Sequence, residues 1–112
     1  MNIKTSLLDN ETIVIEVEKG DSGSVVDMLV VRENGYAVFG EGVPIPMAVI
    51  DKRLLDEDWF TKDHLLAIEA HEVGHIRMNS EEEPVAEREG IRLLKDAGYT
   101  EAASILIERG IV

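Results

Sequence analysis

The chain contains no cysteine, and aromatic residues make up only 4% of the sequence. Without cysteine neither disulfides nor thiolate ligands can form, so a metal ion would have to be held by histidine, aspartate or glutamate. The lack of disulfides agrees with a cytoplasmic location, and residues 1–10 lack the basic and then apolar pattern of a secretory signal. No apolar run is long enough to cross a bilayer, so we expect a soluble protein without a membrane partner.

Basic residues are also scarce. The 112 residues include 11 Lys and Arg against 23 Asp and Glu, which gives a net charge of −12. An acidic surface repels phosphate backbones, and this argues against nucleic-acid binding. A well-solvated surface is the simplest interpretation of the charge, and attraction of a basic partner is the alternative. The length predicts a single domain over residues 1–112 with one core.

Strand patterns fill the first half of the chain. Ile13, Ile15 and Val17 alternate with polar positions, which is typical of a half-buried strand. A tight hairpin is expected at Asn34-Gly35, because both residues tolerate positive φ. The predicted strands cover residues 11–19, 25–32, 36–39 and 47–50, and residues 51–59 give no clear pattern.

Helical patterns fill the second half. Residues 61–78 contain no proline and carry apolar side chains at helical spacing, with Thr61 or Asp63 available to cap the first turn. Gly74 lies inside this segment, where a missing side chain lets a neighbouring element or a substrate approach closely. Asn79 tolerates the left-handed conformation that ends helices.

Two further helices are expected after this break. Ser80 and Glu83 have the spacing of a capping box, and Pro84 falls in the first turn, where its missing N–H costs little. The predicted helices cover residues 61–78, 80–95 and 100–108, with Thr100 as a cap of the last one and Gly110 closing it. Strands followed by helices indicate an α+β fold with a small, mostly antiparallel N-terminal sheet.

The sequence His71-Glu72-Val73-Gly74-His75 is the strongest functional signal in the chain. Residues four apart lie one turn apart on the same face of a helix, so both imidazoles can point at one ion. Glu72 lies off that line but within reach of a water on the ion. Two nitrogen ligands, an open coordination position and a carboxylate that moves a proton are what a zinc hydrolase requires.

These residues resemble the H-E-x-x-H motif of zincin metallopeptidases, and the chain is most similar to the glutamate zincins over roughly residues 47–98. The third zinc ligand of that group is a glutamate on a following helix, in a stretch that here resembles residues 83–87. The resemblance implies zinc on His71, His75 and Glu83, with Glu72 as general base. It further implies that Glu87 orients a ligand histidine, and that residues 47–50 form the edge strand along which a peptide substrate lies.

Alternatives to Glu83 remain open. The distance along the chain from His75 to Glu83 is shorter than in most glutamate zincins. A metzincin-like spacing would use Glu81 as third ligand, although Met78 then stands where that pattern has a glycine. Glu87 is another candidate ligand, and Glu83 is equally well explained as a capping-box residue.

We therefore expect a zinc-dependent metallopeptidase with one zinc ion per chain and a peptide or protein substrate. Zinc would activate water, and Glu72 would act as the catalytic base. A non-catalytic interaction module on a zincin scaffold, with structural metal or none, is the alternative, and a hydrolase of non-peptide amides is a third possibility. The ligand set alone does not select zinc over other divalent ions.

Overall fold

The computed structural model describes residues 1–109 and confirms an α+β fold. Within these residues four strands form one sheet, and four α-helices and one short 3-10 helix accompany it. The predicted closing residue Gly110 lies outside the described residues. The elements in chain order are β1 (Asn2–Thr5), β2 (Ile13–Val17), α1 (Ser24–Val31), β3 (Gly35–Val38), β4 (Met47–Asp51), the 3-10 helix (Lys52–Asp56), α2 (Lys62–Met78), α3 (Glu83–Asp96) and α4 (Thr100–Arg109).

The sheet has the strand order β1-β2-β4-β3 and is mixed. The two outer pairings, β1 with β2 and β3 with β4, are antiparallel, whereas the central pair of β2 and β4 is parallel. Val49 of β4 lies opposite both Ile15 of β2 and Tyr36 of β3. The expectation that residues 47–50 form an edge strand is therefore wrong, since β4 is an interior strand and β1 and β3 are the edges.

Helix α1 corrects the predicted second strand at residues 25–32. The β-branched residues of this segment suggested a strand, but Val26 and Leu29, three positions apart, are the residues that become buried. This spacing puts both side chains on one face of a helix. The predicted Asn34-Gly35 hairpin is consequently also wrong: the chain turns from α1 into β3, and the positive φ of 65° belongs to Glu33.

Helices cover the sheet on both faces. On one face, α1 contributes Val26 and Leu29 to a core with Ile15, Val17 and Val49. On the other face, α2 packs against β3 and β4, and the core there consists of Val14, Ala48, Ile50, Phe60 and Leu65. Val14 broke the predicted alternation of β2. It is completely buried because α2 covers this face of the sheet as well.

The two ends of α2 lie where the sequence predicted them, at Thr61 and Asn79. The Thr61 side chain accepts a hydrogen bond from the backbone N–H of His64, and the His64 ring accepts one from the N–H of Thr61. At the other end, Asn79 adopts the left-handed conformation with φ 47° and ψ 48°. Within residues 1–109 no helix is both long enough and apolar enough to cross a membrane.

Helices α2 and α3 approach each other through glycines. A Cβ placed on Gly74 would lie 2.1 Å from the carbonyl oxygen of Ala86. One placed on Gly90 would lie 2.8 Å from the carbonyl oxygen of Ala70. The close approach expected at Gly74 is thus made by the backbone of α3, and it brings the first turn of α3 next to the last two turns of α2.

Candidate functional site

His71 and His75 lie one above the other on α2, and both are buried. Their ring centroids are 4.8 Å apart and the rings are nearly perpendicular. One ligand atom from each of His71, Glu72 and His75 can be chosen so that all three lie within 4.8 Å of one another. This group could hold a metal ion, and its donor atoms alone do not specify which one.

Glu83, the first residue of α3, reaches the same two histidines. Its Oε2 lies 2.7 Å from Nε2 of His71, and its Oε1 lies 3.2 Å from Nε2 of His75. Glu72 is the more distant carboxylate, with Oε1 at 4.0 Å from Nε2 of His75. Of the two carboxylates, Glu83 is therefore the one that faces both imidazole nitrogens.

The capping-box prediction for Ser80 and Glu83 is wrong. Helix α3 begins at Glu83 with Glu82 as its N-cap, and the cap makes no side-chain hydrogen bond. The Ser80 hydroxyl accepts a hydrogen bond from the backbone N–H of Glu82 instead. Because the Glu83 carboxylate is engaged with His71 and His75, its position is explained by the histidines and not by the helix terminus.

Backbone and aromatic contacts fix the orientation of His75. Nδ1 of His75 lies 2.7 Å from the carbonyl oxygen of Ser80, which can only accept a hydrogen bond, so Nδ1 carries the proton. Phe39 stacks beside the ring at a centroid distance of 6.3 Å. In the neutral ring, Nε2 then presents a lone pair towards Glu83.

The lone pair on Nε2 of His75 faces a second acceptor, the Glu83 carboxylate. Nε2 of neutral His75 and the carboxylate oxygen of Glu83 are both acceptors, yet they lie 3.2 Å apart. Two acceptors at that distance repel each other unless a proton or a cation lies between them. The donor set and its spacing therefore fit a shared cation, which would be bound by His71, His75 and Glu83.

Burial keeps His71 in the form that can bind a metal. Desolvation lowers the pKa of His71 below 6.5, although the neighbouring Glu83 and Glu87 carboxylates oppose this shift. The ring is thus neutral near pH 7 and offers a lone pair. Nδ1 of His71 is buried and makes no hydrogen bond to any residue among 1–109. Glu87 is buried as well and acts on His71 through its charge.

Glu72 is buried beside the histidines and titrates far from its ordinary range. Desolvation, assisted by the negative charge of Glu83, raises the pKa of Glu72 to about 8, and the positive charge of Arg32 works against that rise. A carboxyl group with this pKa exchanges protons near neutral pH, which is the range that a general base requires. A cation bound at the histidines would favour the ionised form of Glu72.

These residues open into a cleft of about 680 Å³. The cleft follows α2 from His64 to His75, and edge strand β3 forms part of its wall through Gly35, Tyr36 and Ala37. Among residues 1–109, strand β3 pairs with β4 on one side only, so its other edge carries backbone groups that no described strand pairs with. The edge strand beside the histidines is thus β3, and not the predicted segment 47–50.

Glu81 and three other polar side chains, which belong to His64, Tyr36 and Tyr99, lie apart from the histidine pair. Glu81 lines the cleft, but the contacts to the histidines come from Glu83. His64 caps α2 and lines the cleft, away from the His71 and His75 pair. The hydroxyl of Tyr36 donates to the carbonyl oxygen of Val25 and so packs against α1, whereas Tyr99 lies beside a different pocket.

Sequence reasoning missed Arg32, Phe39 and Arg109, all of which line the cleft. None of them has a spacing relation to the histidines, because α1, β3 and α4 reach the cleft only through the tertiary fold. The only related feature of the sequence is its excess of acidic over basic residues. Because the chain has only 11 Lys and Arg, two arginines that line the same cleft are unusual.

Comparisons with known proteins identify no relative: no family model matches the chain, and neither a curated protein nor a solved structure matches it. The resemblance to zincins therefore depends on the residues of the motif alone and stays a prediction.

Proposed function

We propose that the protein is a zinc-dependent metallopeptidase whose metal is held by His71, His75 and Glu83. The observation that carries this proposal is the position of the Glu83 carboxylate, 2.7 Å and 3.2 Å from the Nε2 atoms of the two histidines. The Glu83 carboxylate would supply the third protein ligand beside the two imidazole nitrogens, and the metal would act as a Lewis acid there.

The surroundings of the ligands also suit a metal. Ser80 fixes the tautomer of His75 so that Nε2 is the free nitrogen, and burial keeps His71 neutral near pH 7. The chain has no thiols, so histidine and carboxylate are its only strong ligands. We name zinc because a site with two histidines and one glutamate is a common catalytic zinc site.

The metal, when bound, would polarise a carbonyl group and make water nucleophilic near neutral pH. Glu72 then takes the proton of the attacking water and delivers it to the leaving amine. Its raised pKa and its burial beside His75 place a proton carrier next to the reacting groups. Glu87 supports the site by its charge next to His71.

A peptide is the substrate that the cleft suits best. The free edge of β3 offers unpaired backbone N–H and C=O groups along the wall next to the histidines. An extended peptide can add to such an edge through main-chain hydrogen bonds. A non-peptide amide would leave these groups without partners.

Replacement of Glu72 by Gln tests the proposed activity. The amide keeps the shape of the side chain but cannot take up a proton, so metal content should be unchanged while peptide hydrolysis falls by about 10²- to 10⁴-fold. Turnover is followed with a mixture of unstructured peptides and mass analysis of the products. Hydrolysis at the wild-type rate in Glu72→Gln would exclude this mechanism. Failure of the zinc-loaded wild type to cleave any peptide would favour the interaction module.

A further inference from the structure

The two arginines of the cleft lie in different surroundings. Arg32 lies within electrostatic reach of Glu72 and so belongs to the end of the cleft that holds the histidines. Arg109, in the last turn of α4, contacts Trp59, whose ring in turn contacts that of His64. Because His64 lies near the start of α2, Arg109 marks the opposite end of the cleft.

Arg109 is held in place without losing its hydrogen-bonding capacity. The carbon of its guanidinium group lies 5.5 Å from the centroid of the Trp59 ring. Trp59 is fixed in turn by edge contacts with Phe60 and His64 at centroid distances of 5.5 Å and 5.7 Å. A guanidinium stacked on an aromatic face keeps its N–H donors available at its rim.

No carboxylate among residues 1–109 forms an ion pair with Arg109, although the chain carries twice as many acidic as basic residues. Arg53, Arg77 and Arg92 each pair with a carboxylate within 4 Å. Arg32 and Arg88 form no ion pair among residues 1–109 either, so the cleft position and the Trp59 contact are what distinguish Arg109. An arginine at a cleft that has no carboxylate partner among residues 1–109 is suited to bind a carboxylate in bidentate fashion.

The part of α2 that lines the cleft gives the approximate length of the cleft. Seven residues of α2 separate His64 from His71, which corresponds to about 10.5 Å along the helix axis. An extended peptide covers this distance with about three residues, at roughly 3.3 Å each.

We propose that Arg109 binds a carboxylate of the substrate at the end of the cleft opposite His71 and His75. The carboxylate belongs either to an acidic side chain or to the C-terminus of the peptide. This proposal rests on the proposed peptide substrate, but it concerns binding and does not require that hydrolysis takes place.

Trp59 provides the measurement, since it is the only tryptophan of the chain and 55% of it is exposed. Its fluorescence is followed in the zinc-treated Glu72→Gln protein during titration with alanine- and serine-based peptides that are blocked at both ends. One peptide carries a single Glu, its partner carries Gln at the same position, and a third is the Gln peptide with a free C-terminal carboxylate. The Glu72→Gln background prevents cleavage from interfering with binding.

We expect one or both carboxylate peptides to bind about tenfold more tightly than the blocked Gln peptide. Preference for the Glu peptide identifies a side chain as the source, and preference for the free C-terminus identifies the terminal carboxylate. Replacement of Arg109 by Gln should abolish the preference. Replacement of Arg88, which is exposed on α3 and does not line the cleft, should leave it unchanged.

Three results would overturn the proposal: equal affinity for charged and uncharged peptides, a preference that survives in Arg109→Gln, or no response of Trp59 to any peptide. These results are distinct from failure of the proposed function, which would show as absence of hydrolysis by the zinc-loaded wild type. A carboxylate preference without hydrolysis would keep Arg109 as a binding residue of an interaction module.

Discussion

At the scale of single residues, the site depends on the difference between two neighbouring carboxylates. Glu83 faces both histidines and is half-exposed, with 51% of its side chain accessible, whereas Glu72 is buried and farther from His75. A ligand must lie close to the donor nitrogens, and a proton carrier must change its charge near neutral pH. In the proposed function, position favours Glu83 as the metal ligand, and environment favours Glu72 as the proton carrier.

Glu83→Ala should weaken zinc binding by more than about 100-fold, because the site loses one of its three ligands. Zinc affinity is measured by competition with a chromophoric chelator. Glu82→Ala is the matched control, since Glu82 precedes Glu83 on the same acidic turn, is exposed and does not line the cleft. Equal zinc affinity of Glu83→Ala and Glu82→Ala would eliminate Glu83 and direct attention to Glu81 and Glu87.

The raised pKa of Glu72 predicts how stability depends on pH in the metal-free protein. In the folded chain Glu72 holds its proton up to a pKa of about 8, whereas in the unfolded chain it loses the proton near 4.5. The folded state therefore binds more protons between these values, and the free energy of unfolding falls as the pH rises through this window.

Urea unfolding of chelator-treated protein at pH 5 and pH 9 measures this dependence. We expect the wild type to lose on the order of 3 kcal/mol more than Glu72→Gln between the two pH values. The Gln variant carries no proton at this position, so it reports the pH dependence of all other groups. Parallel behaviour of the two proteins would show that Glu72 is not protonated in the folded state.

At the scale of elements, the contact between α2 and α3 positions the ligands. Gly74 lies between Glu72 and His75 in the chain, and the backbone of Ala86 occupies the space that its side chain would fill. This contact brings the first turn of α3, and with it Glu83, to the histidines. His71, His75 and Glu83 can bind a single ion only if α2 and α3 keep this short distance from each other.

Gly74→Ala should therefore destabilise the fold by about 3 kcal/mol or more, although alanine normally favours a helix by about 1 kcal/mol over glycine. The added methyl group would lie 2.1 Å from the Ala86 carbonyl oxygen, so α2 and α3 would have to separate. Chemical denaturation gives the loss of stability, and chelator competition gives the accompanying loss of zinc affinity.

Gly98→Ala serves as the control for a glycine replaced in open space. No atom lies within 4 Å of the added Cβ, and only the positive φ of 85° is unfavourable, which costs about 1–2 kcal/mol. If Gly74→Ala were no more destabilising than Gly98→Ala and kept its zinc affinity, the close helix contact would not determine the site.

The sequence predicted those elements that carry their own local signals. Helix α2 has its cap at Thr61 and its left-handed end at Asn79, and β3 and β4 are short runs, mostly of apolar residues, between turn residues. Helix α1 was wrongly predicted as a strand because its valines favour strands, and only the packing of Val26 and Leu29 under the sheet decides for a helix. Strand β1 was missed, since its residues are mostly exposed at a sheet edge.

The site was predictable to a similar extent. The spacing of His71, Glu72 and His75 follows from the helix period and needs no tertiary information. The choice of Glu83 over Glu81 and Glu87 was left open, because the angle at which α3 leaves Asn79 decides which side chain faces the histidines. The parallel pairing of β2 with β4, which makes β3 the edge strand at the cleft, also arises only in the complete fold.

At the scale of the whole molecule, a metal ion would join two parts of the fold. His71 and His75 belong to the end of α2, and Glu83 belongs to the start of α3. A ligand that binds only the folded chain stabilises it by mass action. The strongly acidic chain, with a net charge of −12, would also attract divalent cations in general, so a specific site must be distinguished from surface binding.

Metal content of the purified protein tests the central claim most directly. The protein is prepared without a metal-binding tag, and bound metals are measured by elemental analysis in the wild type, His75→Ala and His64→Ala. His64 is the third histidine of the chain and lies outside the proposed ligand set, so it controls for the loss of a histidine elsewhere. We expect about one zinc ion per chain in the wild type and in His64→Ala, and none in His75→Ala. A wild-type protein that contains no metal and takes up none when zinc is supplied would contradict the proposed function.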